Sequence, residues 1–295
     1  MKKVFEKVPF VDQVLKGVGQ IMLQENSWTG VLFLIGIFLG SWQCGLAAVV
    51  AGASGTLTAK FLKYDQKEIN AGMYGFSASL VGVALAFLFQ ATVLIWVLII
   101  VGSVLAAIFQ NFFIARKLRA FSFPFIVISW VFVYSLQHYT QIPPSDLMSV
   151  KFEDSKFIDV FTAIQGFGEV IFQGSPLSGF LFFLGVFIGS PVAALYGLAG
   201  SLLSAYISQL NGEALEHVHM GLFGFNAVLS AIFFSGHKKI DGLWVLIAVV
   251  ITAVLNDLIV DYKILDAFGG VFTFPFVATT WLTLLLKKVV LKKSV

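Results

Sequence analysis

"GQIMLQENSWTGVLFLIGIFLGS", Gly19 to Ser41, returns as "GEVIFQGSPLSGFLFFLGVFIGS", Gly168 to Ser190, displaced by 149 residues. Gly19, Gln24, Gly30, Leu32, Phe33, Gly36, Phe38, Gly40 and Ser41 have identical partners in the second copy. Two more blocks repeat in the same order. "GMYGFSASLVG" from Gly72 matches "GLFGFNAVLSA" from Gly221 at the same displacement of 149. "AFSFPFIVISW" from Ala120 matches "VFTFPFVATTW" from Val271 at 151. Apolar composition alone could imitate one block, but it would not set shared Gly, Gln, Ser and Pro at near-constant spacing through three. The chain is one half written twice, and such repetition governs the reading of the whole fold.

Composition says what solvent the halves meet. Of 295 residues 58% are hydrophobic and 12% charged, with a mean hydropathy of +0.92. A soluble domain carries about 25% charged residues, so a soluble surface cannot be clothed here. Runs such as "TVLIWVLIIVGSVLAAIF" approach the roughly 20 residues that span a bilayer. The chain reads as an all-α polytopic membrane protein. Its start, "MKKVFEKVPFVDQVLKGVGQ", lacks the uninterrupted apolar core and small-residue cleavage site of a signal peptide. The spacing of Val4, Phe5, Val8, Val11, Val14 and Leu15 predicts instead a short amphipathic helix at the membrane surface. The single cysteine, Cys44, has apolar neighbours and reads as a core residue with no internal disulfide.

Apolar segments fall near 29–62, 71–89, 91–115 and 119–138, and again near 178–209, 220–235, 241–260 and 270–286. The first of each set is too long for one crossing of a hydrocarbon layer roughly 30 Å thick. Gly40-Ser41 and Gly189-Ser190-Pro191 are the natural breaks. Each half then holds about five transmembrane helices. The stretches 19–28 and 168–177 are too short and polar to cross, and read as re-entrant half-helices, tolerated only where they line a cavity. The resulting division is an N-terminal interfacial segment 1–18, a first repeat 19–138, an external linker 139–167, a second repeat 168–286 and a cytoplasmic tail 287–295.

An odd number of spans inverts the second repeat relative to the first. Charge agrees: with the N-terminus cytoplasmic, only Lys151, Lys156 and Lys263 of the 19 basic residues fall outside. Both termini are then cytoplasmic. Inverted repeats put a substrate site near the midplane, on the pseudo-two-fold axis.

Matched positions should meet there. Ser122 and Thr273 lie two residues before Pro124 and Pro275. Proline removes a donor and disfavours helix in the residue before it, so the chain unwinds beside each hydroxyl and gathers oxygen acceptors at membrane depth. The plainer reading is that Ser or Thr caps the helix that Pro opens, and both can hold. Gln20 and Glu169 occupy equivalent places in the half-helix segments; a carboxylate in a membrane usually marks function, although a water-facing mouth or a helix cap would also accommodate it. Phe76 with Leu80, and Phe225 with Leu229, are i,i+4 pairs on one helix face, each after a Gly-x-x-Gly step that permits close helix approach. Opposed across the axis they would wall a flat slot; plain helix packing is the alternative. Asn226, matching Ser77, adds a polar group beside it. Asn256 and Asp257 loosely match Gln110 and Asn111, and Asp257 reads as a solvated or interfacial carboxylate near the end of its span.

No nucleophile elbow, phosphate loop or dinucleotide fingerprint is present. His138, His217, His219 and His237 have no Cys or His at metal-site spacing. The chain reads as a non-enzyme without cofactor or metal and without a nucleic-acid partner.

The paired "GFxxxL" steps, the "G-Q/E" half-helix starts and the "S/T-F-P-F" breaks together resemble the urea transporter family, from about Gly19 to Leu285 and in both repeats. The resemblance implies a bacterial member in the inner membrane, a homotrimer in the lipid bilayer with a continuous pore in each protomer, and passive, channel-like diffusion of urea. It also implies site roles. Gln20 and Glu169 would belong to binding regions at the two ends, and Ser122 and Thr273 would supply midpoint oxygens. Phe76, Leu80, Phe225 and Leu229 would wall the slot, with Leu23, Val170 and Phe172 adjoining. Three positions depart from the family pattern: Ser122 stands for a threonine, Leu23 for an aromatic opposite Phe172, and Ser77 for the asparagine that Asn226 keeps. Two alternatives stay open: a pore for another small neutral solute (ammonia, water, short amides), and a proton-coupled transporter using Glu169.

Overall fold

A computed structural model of the chain describes residues 5, 7–149 and 160–293. The first half contains α1 (Pro9–Gln20), α2 (Ser27–Gly40), α3 (Trp42–Phe61), α4 (Gln66–Asn70), α5 (Gly75–Leu88), α6 (Val93–Ala115) and α7 (Phe123–Tyr139). The second repeats the order: α8 (Val160–Glu169), α9 (Pro176–Gly189), α10 (Pro191–Leu210), α11 (Leu215–His219), α12 (Phe225–Phe234), α13 (Lys239–Asp261) and α14 (Phe274–Lys293). Helices α3, α6, α10 and α13 are long and apolar enough to cross a membrane. The protein is a multi-pass, all-helical membrane protein built as two inverted repeats.

The long apolar segments break where the sequence places a glycine before a serine. α2 ends at Gly40, and extended Ser41 then caps α3 by accepting the Cys44 N–H at 3.3 Å. α9 ends at Gly189, and Ser190 caps α10 through the Ala193 N–H at 3.3 Å, with Pro191 opening the helix. Helices α2 and α9 are apolar on every side; one face of each packs against the other helix, while Phe38, Leu39, Phe187 and Ile188 stay exposed, as suits a lipid-facing side. Between the two helices Thr29 Oγ1 donates to the Gly185 carbonyl at 2.7 Å and Ser178 Oγ donates to the Gly36 carbonyl at 2.8 Å. The rings of Phe33 and Phe182 meet edge to face at 5.2 Å. Each contact maps onto its partner when 149 is added to one residue number and removed from the other. A second exchanged pair staples the far side: Trp130 Nε1 donates to the Gly270 carbonyl at 3.0 Å and Trp281 Nε1 to the Arg119 carbonyl at 2.8 Å. Reciprocal contacts of this kind are what a two-fold axis between the repeats produces.

Two local expectations shift. The N-terminal helix begins at Pro9, the fixed φ of which suits a first turn, and runs through residue 18 to Gln20. It buries Val14, Leu15 and Val18 against α2 and α5 rather than lying apart on a surface. The half-helices are therefore Pro9–Gln20 and Val160–Glu169, and most of 19–28 and 168–177 forms the turns after them. Two glycine contacts explain why these helices sink inward. Gly72, at φ +79°, stands so close to Gly17 that a side chain would strike the Gly17 backbone, and Gly221, at φ +83°, does the same against Gln165 and Gly166. The Gly-x-x-Gly steps thus bring a turn against each half-helix. Helix α8 also takes up the end of the stretch read as external linker; Lys2, Lys3, Lys151 and Lys156 lie outside the described residues. The described part of that linker runs beside the end of α5, with Gln90 N–H donating to the Pro143 carbonyl and Ser145 N–H to the Leu88 carbonyl, both at 3.1 Å.

Candidate functional site

The two proline-marked breaks meet at the centre. Helices α7 and α14 start at Phe123 and Phe274, each with proline in second place. Ser122 does not cap its own helix. Its hydroxyl lies 2.6 Å from Thr273 Oγ1, and both residues are buried, at 5% and 3% exposure. One O–H is spent between the two oxygens, so the pair keeps more lone pairs than free protons. It is better suited to accept hydrogen bonds than to donate them.

The residues just before the hydroxyls carry the geometry. Phe121 and Phe272 sit in the left-handed region at φ 50° and φ 43°, where a bulky side chain costs roughly 1–2 kcal/mol. Such strain persists only where neighbours over-determine it. Here the tryptophan staples from the opposite repeat hold the carbonyls of Arg119 and Gly270, two residues upstream. The rings of Phe121 and Phe276 stand 5.4 Å apart, as do those of Phe125 and Phe272. That is another exchanged pair.

A cavity opens on each side of the hydroxyl pair. One, of about 370 Å³, is lined by Gln20, Leu23, Phe76, Phe121 and Ser122 among others. The other, of about 440 Å³, is lined by Glu169, Val170, Phe172, Phe225, Phe272 and Thr273 among others. Thus the equivalents Gln20 and Glu169, Leu23 and Phe172, Phe76 and Phe225, and Ser122 and Thr273 each divide between the two cavities. Leu80 and Leu229 stand on no described cavity wall; both are buried in the core behind. The rings of Phe76 and Phe225 are not in contact among the described residues. The aromatic crowding comes instead from Phe87, Phe125, Phe172 and Phe272, whose ring centres are 5.4 to 6.4 Å apart in sequence around the second cavity.

Both half-helices end at a cavity wall, α1 at Gln20 and α8 at Glu169. The last carbonyls form the negative end of each helix; those of Gly19 and Gln20, and of Gly168 and Glu169, accept N–H groups of the turns that follow, and a carbonyl oxygen keeps a second lone pair for a further donor. Gln20 Nε2 donates to the Ala71 carbonyl at 3.1 Å, which leaves its amide oxygen for the cavity. Together these oxygens favour a neutral solute rich in N–H groups.

Several contributors were hidden in the sequence. Phe121 and Phe272 are named by their backbone angles, and the only textual trace is their place one residue before each hydroxyl. His217 and Asp266 line the second cavity, although their segments read as loops. Asp257 is buried, not solvated: it accepts from Ser208 Oγ and Asn211 Nδ2, both at 2.7 Å, and ties α13 to the end of α10. Sequence missed this because those donors lie nearly fifty positions away.

Beside it, in the loop after α10, Glu213 has its carboxyl pushed up from 4.5 to about 7, by burial first and then by the Asp261 carboxylate. Between those values the folded chain keeps a proton that the unfolded chain has released, so stability is greatest below this window and falls as pH rises through it. Glu213→Gln should raise the unfolding temperature at about pH 8 and leave it unchanged at about pH 4, as differential scanning fluorimetry would show.

The fold and site define a class: a multi-pass helical membrane protein of two pseudo-symmetric halves, with two largely apolar cavities that carry a few polar side chains and flank the junction of the halves. The chain belongs to the urea transporter family, whose model, described as "Urea transporter", matches residues 11–288. Among known proteins it is similar to urea transporter 1 of Capra hircus, at 27% identity over 246 residues, covering 78% of this chain and 64% of that protein. Urea transporter 1 of Ovis aries matches over the same extent at 27% identity, and that of Mus musculus at 26% over 242 residues. The chain therefore spans about 64% of the length of the goat protein.

Proposed function

We propose that the chain conducts urea passively, by way of the two cavities and the Ser122–Thr273 hydroxyl pair between them. The observation that carries this reading is the contact of those two buried hydroxyls at 2.6 Å, flanked by cavities on both sides. Urea is flat, uncharged and rich in N–H donors. On leaving water it loses hydrogen bonds, each costly unless replaced in the protein. Carbonyls at the half-helix ends, Gln20, Glu169, Ser122 and Thr273 can accept its N–H groups in succession. Rings such as those of Phe172, Phe225 and Phe76 offer apolar walls with electron-rich faces toward those donors. An ion would lose far more hydration without a matched charge lining, so ions stay out.

The finer features belong to the same reading. Each repeat opens with its half-helix, so the first runs from α1 through α7 and the second from α8 through α14 rather than starting at 19 and 168, with Leu80 and Leu229 backing the slot from the core. Charge distribution supports cytoplasmic termini, and the homotrimer and the bacterial inner membrane rest on the motif resemblance alone. The test is stopped-flow urea efflux from proteoliposomes, with and without a pH gradient. Wild-type flux should exceed that of empty vesicles and ignore the gradient, and Glu169→Gln should keep gradient-independent flux within about threefold, since an amide oxygen still accepts. Flux that follows the gradient and vanishes in Glu169→Gln would favour proton coupling.

A further inference from the structure

Besides Ser122 against Thr273, the two repeats differ in what reaches the breaks from the neighbouring helix. In the second, Asn226 on α12 is buried at 1% exposure and reaches the break with both ends of its amide. Its Oδ1 accepts the Phe276 N–H at 3.1 Å, and its Nδ2 donates to the Phe272 carbonyl at 3.1 Å and to Asn256 Oδ1 at 3.2 Å. In the first repeat the matching residue is Ser77, and its described hydrogen bond goes to Gln110 Oε1, at 3.4 Å. A serine stops short of the break; an asparagine does not.

The Phe276 N–H is one of the orphan donors in the first turn of α14, the group that a helix-capping threonine at position 273 would ordinarily satisfy with its own hydroxyl. Asn226 takes that donor from another helix. Thr273 is thereby released from capping, and its hydroxyl turns to Ser122 instead. The same amide grips the carbonyl of Phe272, the residue held at φ 43°. In the first repeat the hydroxyl of Ser122 is fixed through its contact with Thr273, so one tethered break serves both.

We propose that Asn226 is a positioning residue for permeation: by capping α14 in place of Thr273 it frees the midpoint hydroxyl pair to accept hydrogen bonds from the solute. This rests on the reading of the pair as the midpoint of a urea path, and goes beyond it by naming what holds the pair there. Asn226 itself stands behind the wall, on neither described cavity lining.

The experiment compares urea efflux from proteoliposomes of the full chain carrying Asn226→Ser, Asn226→Asp, Thr273→Val, or Asn226→Ser with Thr273→Val. Serine copies the first repeat and cannot reach, so flux should fall about tenfold, the scale of one lost hydrogen bond. Aspartate in its neutral, protonated form keeps the acceptor for Phe276 N–H and one donor for the Phe272 carbonyl, so flux should stay within about threefold of wild type. Because Asn226 acts through the Thr273 hydroxyl, the double variant should be no slower than the slower single one, within about twofold; independent effects would multiply. Equal flux in Asn226→Ser and wild type, equal losses in the Ser and Asp variants, or multiplied losses in the double variant each overturn the proposal. Absence of urea flux in the wild type would instead remove the function on which it builds.

Discussion

Thr273→Val combined with Ser122→Ala should leave a folded protein whose urea permeability is close to that of empty vesicles. Valine matches threonine in volume but places a methyl where an acceptor stood, and alanine removes the second oxygen. A hydrogen bond in a water-poor site is worth about 1–2 kcal/mol net, so each lost acceptor slows passage by roughly five- to thirtyfold. The single variants should show those separate losses. They share one hydrogen bond, so the combined loss need not equal their product. Folding should hold, because both side chains are small and the helix starts beside them are set by Pro124 and Pro275. Stopped-flow light scattering on proteoliposomes measures the flux, and circular dichroism the fold. Flux preserved in the double variant would remove the hydroxyl pair from the mechanism.

The second large effect concerns stability. A methyl on Gly30 would fall on the carbonyl of Leu15, backbone against backbone where α1 crosses α2. No flexible side chain is there to move aside. Gly30→Ala should therefore cost about 3 kcal/mol, the upper end of ordinary overpacking, and pull the end of α1 away from the cavity that Gln20 lines. Gly212→Ala is the contrast: it sits at φ +92° with nothing within 4 Å, so it pays only the left-handed backbone penalty of about 1 kcal/mol. Thermal unfolding of the detergent-purified variants should separate the two, with Gly30→Ala showing by far the larger drop. Equal drops would mean that the α1–α2 crossing is looser than its geometry implies.

What was legible in the text was symmetry. Shared Gly, Ser, Gln and Pro at fixed displacement named the repeats, their breaks at Gly40 and Gly189, and the hydroxyls that meet. Glycine-serine and proline signals act through local backbone chemistry, so they survive in a single sequence. The start of the half-helix at Pro9 was harder to see, because its apolar face reads the same whether it meets lipid or α2. Leu80 and Leu229 illustrate a second limit. Helical spacing puts each on the face of its phenylalanine, but tertiary packing turns that face partly into the core. Asn226 marks the third, since the donors and acceptors it serves lie 46 and 50 positions away.

The most direct test of the central claim, that the two cavities are halves of one solute path joined at the hydroxyl pair, uses the chain's single cysteine. With Cys44→Ser as background, Ser122→Cys places one thiol at the junction, and a small methanethiosulfonate reagent is added to proteoliposomes while urea flux is followed. The account predicts that labelling reduces flux to the level of empty vesicles and that urea slows the labelling. Complete labelling with unchanged flux, or a thiol that no reagent reaches from either side, would contradict it.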